Sequence, residues 1–73
     1  MNVENLVTMA NQIGSFYETM PDRNQALKDI SGHLKKYWEP RMRRALLEHI
    51  DVDEETQLSP IVMESIRTHR ELF

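Results

Sequence analysis

The chain has no cysteine, only two glycines, a single tryptophan and no long apolar run. Without cysteine, its 73 residues form no disulfide, no cysteine-ligated zinc site and no iron–sulfur cluster of their own. A domain this short buries a limited fraction of its surface. Lacking those staples, it must rely on close helix packing or on docking to something larger. No stretch approaches the roughly 18 apolar residues of a membrane span. The N-terminus lacks the basic-then-apolar layout of a signal peptide, so the expected location is cytoplasmic. Neither Gly14 nor Gly32 belongs to a phosphate-binding loop, and no serine or threonine is flanked like an activated nucleophile.

The formal net charge is −3, unevenly distributed. Residues 33–50 hold Lys35, Lys36, Arg41, Arg43 and Arg44 against Glu39 and Glu48, whereas residues 51–73 hold six carboxylates against Arg67 and Arg70. A nucleic-acid binder shows a dominant basic face. A basic middle between acidic ends suits a protein partner with complementary patches instead.

What is present reads as helix. Leu6, Met9, Ala10, Ile13, Phe16, Tyr17 and Met20 recur at i, i+3, i+4 and i+7, predicting a helix over about residues 3–20 capped by Asn2. Gly14 lies on the edge of that apolar face, where a neighbouring helix of the same chain is expected to approach closely. Pro21-Asp22 breaks the pattern. Asp22 and Gln25 have capping-box spacing, and Ala26, Leu27, Ile30, Leu34, Tyr37 and Trp38 form the stripe of a second helix over about residues 22–38. Pro40 forbids a smooth continuation and suits the first position of a third helix, over about residues 40–50. Met42, Ala45, Leu46, His49 and Ile50 face inward there, while Arg41 and Arg44 face outward and Leu47 lies beside Arg43 and Arg44. The acidic, aperiodic segment 51–57 reads as a loop. Ser59-Pro60 then starts a short fourth helix over about residues 60–69.

The expected fold is all-α: one domain over residues 1–73, a small bundle of three main helices and a short C-terminal one. Its expected core is Leu6, Ile13, Phe16, Leu27, Ile30, Leu34, Trp38, Met42, Leu46, Ile50, Val62 and Ile66. The methionines at 9, 20, 42 and 63 read as core filler.

Candidate chemistry is thin. Counting the acidic loop from Asp51, Asp53 and Glu55 fit positions 3 and 5 of a calcium loop, but Thr56 stands where glycine is needed and Val62 where glutamate is needed. His33, His49 and His69 fall on three different helices without the i, i+4 spacing of a helical metal site. Lys35, Lys36, Arg41, Arg43 and Arg44 interleave with Tyr37 and Trp38, but base stacking needs exposed rings and these aromatics lie on an apolar stripe.

Four segments carry a family resemblance: Asn5-Leu6-Val7-Thr8-Met9-Ala10-Asn11-Gln12-Ile13, Ile30-Ser31-Gly32-His33-Leu34, Tyr37-Trp38-Glu39-Pro40-Arg41-Met42-Arg43 and Leu58-Ser59-Pro60-Ile61-Val62. In this order the chain resembles the delta subunit of NAD-dependent, molybdenum-containing formate dehydrogenases. It departs from them at Tyr37, where phenylalanine is common, in the acidic loop 53–57, where glycine-rich sequence is usual, and after Ile66.

The resemblance implies a non-catalytic accessory subunit of a complex that oxidises formate to carbon dioxide and passes electrons to NAD. The alpha subunit of such complexes carries bis-molybdopterin guanine dinucleotide and iron–sulfur clusters. The beta subunit carries FMN, a cluster and the NAD site, and the gamma subunit a further cluster. The delta chain carries none of these, and its implied role is assembly, cofactor maturation or stability of the alpha subunit. The expected partner is therefore the alpha subunit, with beta and gamma in the same complex, and neither nucleic acid nor membrane. Arg41, Arg43, Arg44 and Leu47 are the expected partner-binding residues. Trp38, Pro40 and Met42 are the expected structural corner. The alternative class is a stand-alone helical adaptor for protein or nucleic acid.

Overall fold

The computed structural model describes residues 2–52 and 56–73. Four helices follow in order: α1 (Val3–Tyr17), α2 (Arg23–Tyr37), α3 (Pro40–Val52) and α4 (Pro60–Thr68). A single 3-10 turn, Arg70–Leu72, follows α4. The fold is all-α, with three main helices and a short fourth. The calcium-loop positions Asp53 and Glu55 lie outside the described residues, but Asp51 and Val52 complete α3 rather than beginning a loop.

The ends of the helices follow from local chemistry. The Asn2 side chain accepts from Glu4 N at 2.8 Å and caps α1. Asp22 accepts from Gln25 N at 3.1 Å and caps α2. Gln25, at the other position of the capping box, directs its amide N–H forward to Asp29 at 2.8 Å. α1 ends at Tyr17, leaving Met20 in the turn ahead of Pro21. α2 stops where Trp38 takes extended angles, φ −86° and ψ 139°, and Glu39 O receives Met42 N and Arg43 N at 2.9 and 3.1 Å to begin α3. Pro40, without an amide proton, loses nothing at the first helical position.

The core is built from Leu6, Val7 and Ala10 of α1, Ala26, Leu27, Ile30 and Leu34 of α2, Trp38, Leu46 of α3, Leu58, and Ile61, Val62 and Ile66 of α4. Ile13, Met42 and Ile50, expected in the core, are partly buried against it, as is Leu47. α2 and α4 pack most extensively, and their contact carries a buried hydroxyl pair. Ser31 and Ser65 lie 2.6 Å apart, oxygen to oxygen. Ser31 also reaches Ser65 O at 3.0 Å, and Ser65 donates to Leu27 O. α1 meets α4 at Gly14, where a Cβ would lie 2.6 Å from Val62 Cγ2 and 3.3 Å from Ile61 Cγ2. The close approach expected at this glycine is therefore made by α4.

Phe16 of the expected core, Tyr37 of the expected apolar stripe and Met9, expected as core filler, face outward instead. Phe16 is 77% exposed, Tyr37 65% and Met9 40%. Each lies on the apolar arc of its helix, but that arc is wider than the neighbouring helices cover. In α1, Leu6, Val7, Ala10 and Gly14 take the inner positions, which rotates Met9 and Phe16 to the rim.

Candidate functional site

The outward aromatics gather on one side of the molecule. Helix α1 supplies Met9, Ile13, Phe16 and Tyr17, at spacings that place them along one edge of the helix. Helix α2 supplies His33 and Tyr37, one turn apart. Together they border an apolar groove of about 490 Å³ floored in part by Trp38. Its walls are ordered by ring contacts. Phe16 and Tyr17 meet edge to face at 5.1 Å between centroids, and His33 lies 4.7 Å from Tyr37. A smaller hollow of about 390 Å³ adjoins it, sharing Tyr17, His33 and Tyr37 and adding Lys28, Asp29, Gly32, Lys36 and, from the C-terminal turn, Leu72. Lys36 Nζ stands 5.4 Å from the Tyr37 ring centroid, within cation–π range.

The residues expected at a partner surface separate in the structure. Arg41 is exposed and approaches Glu39, itself largely exposed, at 3.8 Å; Arg44 is also exposed. Arg43 is half-buried. Its Nη1 donates to Lys35 O at 3.0 Å and to Trp38 O at 2.6 Å, so the guanidinium serves the last carbonyls of α2 and locks the corner into α3. Among the described residues its buried Nε has no hydrogen-bond partner. The corner thus consists of buried Trp38, partly buried Met42 and Arg43 around Glu39-Pro40. This divides the basic aromatic stretch: Trp38 and Arg43 turn inward, while Lys35, Lys36, Tyr37, Arg41 and Arg44 remain exposed.

Two further devices hold the scaffold. Asn11 of α1 accepts from Ser59 N at 2.8 Å and donates to Gln57 O at 2.9 Å, tying the segment before α4 to α1. Its polar side chain reads as a surface residue in a helical projection, but long-range backbone pairing leaves no periodic signal. Arg70 grips Asp51 with two bonds of 3.0 and 2.7 Å, joining the end of α3 to the C-terminal turn. That hydrogen-bonded guanidinium holds the Asp51 carboxyl below the usual carboxylate range.

His33, His49 and His69 are each half-buried on separate helices or helix ends. His49 meets Thr56 Oγ1 at 2.8 Å. Among the described residues, no group of three His, Cys, Asp or Glu could hold a metal ion, and no helix is long and apolar enough to cross a membrane. The surface on the side of the groove offers apolar contact and positive charge.

Comparison with protein families gives a match over residues 5–66 to the family described as the NADH-dependent formate dehydrogenase delta subunit, FdsD. The matched span takes in all four helices apart from their outermost residues. Comparison with curated proteins and with solved structures gives no match.

Proposed function

Because this chain belongs to the formate dehydrogenase delta subunit family, we propose that it is a non-catalytic accessory subunit that docks on the alpha subunit and supports its assembly, cofactor maturation or stability. The redox groups of such a complex, bis-molybdopterin guanine dinucleotide, iron–sulfur clusters, FMN and the NAD site, would reside in the alpha, beta and gamma subunits. A chain without cysteine has no thiolate to offer a cluster.

The observation that carries this reading is the exposed apolar face. The described helices close a core of aliphatic residues and Trp38, yet Phe16, Tyr37 and Met9 stay outside it, side by side along one groove. Contiguous exposed apolar surface rimmed by polar groups marks interaction sites, and aromatic residues are enriched at interface centres. Covering that face would also give a small domain the burial it lacks alone.

Removing this chain from cells that make the other subunits should lower the amount of assembled, molybdenum-loaded enzyme. The purified chain alone should reduce no NAD with formate. Equal assembly, metal content and turnover with and without the chain would overturn the accessory role. Recovery of nucleic acid instead of a large molybdoprotein in a pull-down would favour the adaptor reading.

A further inference from the structure

We infer that the groove between α1 and α2 receives an amphipathic helix of the catalytic subunit, crossing α2 at Gly32, with apolar side chains against Phe16 and Tyr37 and carboxylates against Lys28 and Lys36. This rests on the accessory-subunit reading and adds which face docks and what chemistry fills it.

The chain's own packing does not account for Gly32. It lies in the middle of α2, where glycine weakens a helix relative to alanine. At Gly14 that cost has an internal reason, because Val62 occupies the space of a Cβ. At Gly32, among the described residues, nothing lies within 4 Å of where a Cβ would stand. A bare patch of helix backbone lets another helix approach at short range, and Gly32 is the bare patch in the hollow beside the aromatic groove.

The surroundings specify the occupant. On α1, Met9, Ile13 and Phe16 advance by three or four residues, and on α2, Gly32 and Lys36 and then His33 and Tyr37 do the same. Rows of this kind on two adjacent helices suit a third helix laid between them, the helix-in-groove mode of recognition. The charge at the rim selects its polar residues. Lys28 and Lys36 border the hollow, and Lys35, one position before Lys36, is exposed outside it. Asp29, the one carboxylate of the hollow, accepts from the Gln25 amide. A helix bringing carboxylates to that rim gains attraction and on-rate, which salt weakens.

The test uses the tagged full chain co-expressed with the alpha, beta and gamma subunits, with catalytic subunit recovered per chain as the readout. Phe16→Glu and Gly32→Leu should each lower that recovery by about tenfold or more, the scale of a central contact. Helical circular dichroism of each purified variant should match the unaltered chain and neither melting temperature should fall, since both sites are open to solvent; Gly32→Leu should raise it, because leucine is the better helix former. Lys28→Glu with Lys36→Glu should lower recovery less, and should remove most of its dependence on salt. Full recovery with both Phe16→Glu and Gly32→Leu overturns the inference. If Arg41→Glu with Arg44→Glu then abolishes recovery, the accessory-subunit reading survives with the docking face moved to α3. If the unaltered chain recovers no catalytic subunit, that reading fails, and the inference with it. A homodimer of the purified chain that Phe16→Glu dissociates would assign the groove to a second copy and also overturn it.

Discussion

The two glycines of this chain occupy opposite environments on neighbouring helices. Gly14 of α1 is pressed against Val62 and Ile61 of α4, so its missing side chain is room that another element of the fold uses. Gly32 of α2 faces open space in a hollow bordered by exposed Tyr37, Lys28 and Lys36 and by half-buried Tyr17 and Leu72. The first region is closed, buried and sequence-filled: α1, α2 and α4 meet there around Ala10, Ile30, Val62 and Ile66. The second is the same kind of helical surface left uncovered. A residue type that costs helix stability therefore has an intrachain explanation in one place and an external one in the other.

The sharpest way to test this division is with neighbouring aromatics. Trp38 is 6% exposed and Tyr37 65%. Trp38→Ala should destabilise the purified chain by about 3–5 kcal/mol, the usual cost of emptying a large core position. Tyr37→Ala should cost less than about 1 kcal/mol. Chemical denaturation of both variants measures the contrast, and equal losses would erase the distinction between a closed and an open side.

The next effect lies in the closed region. Ser65→Ala removes the hydroxyl that bonds Leu27 O and pairs with Ser31. The buried groups left behind should cost about 1–3 kcal/mol. A cycle with Ser31→Ala should show clear coupling, because the two side chains share one hydrogen-bond network. Additive losses in that cycle would mean that the two hydroxyls act separately.

These contrasts also mark what can be read from residues alone. The all-α fold, its four helices, the corner at Trp38-Glu39-Pro40 and the close approach at Gly14 were legible, because periodicity, proline and helix caps act locally. Eight of the twelve expected core residues are buried, and Ile13, Met42 and Ile50 pack partly against them. Phe16, Tyr37 and Met9 were assigned to the wrong side. A helical stripe states which residues are apolar, but not how much of a wide arc its neighbours cover. Ser31, Ser65 and Asn11 join the scaffold by pairing across 34 to 48 positions of sequence, which no local pattern records. Arg43 carried the same composition signal as Arg41 and Arg44. Its different environment comes from the corner that brings Lys35 O and Trp38 O within its reach.

The glycines themselves supply the smaller pair of effects, and their signs should differ. In either helix, alanine gains about 0.8–1 kcal/mol of intrinsic stability over glycine. At Gly14 that gain meets a Cβ placed 2.6 Å from a methyl of Val62, a side chain with no exposed surface and a stiff first torsion. Overpacking of this kind costs about 1–3 kcal/mol, so Gly14→Ala should lower stability by up to about 2 kcal/mol.

At Gly32 nothing opposes the gain. Gly32→Ala should raise the stability of the purified chain by about 0.5–1 kcal/mol, partly by restricting the unfolded state. Thermal denaturation reads both substitutions on one scale. A stabilised chain that binds the catalytic subunit less well would identify Gly32 as a position held for its partner at the expense of its own helix. A destabilised chain would mean that α2 is packed from that side and that the region around Gly32 is closed.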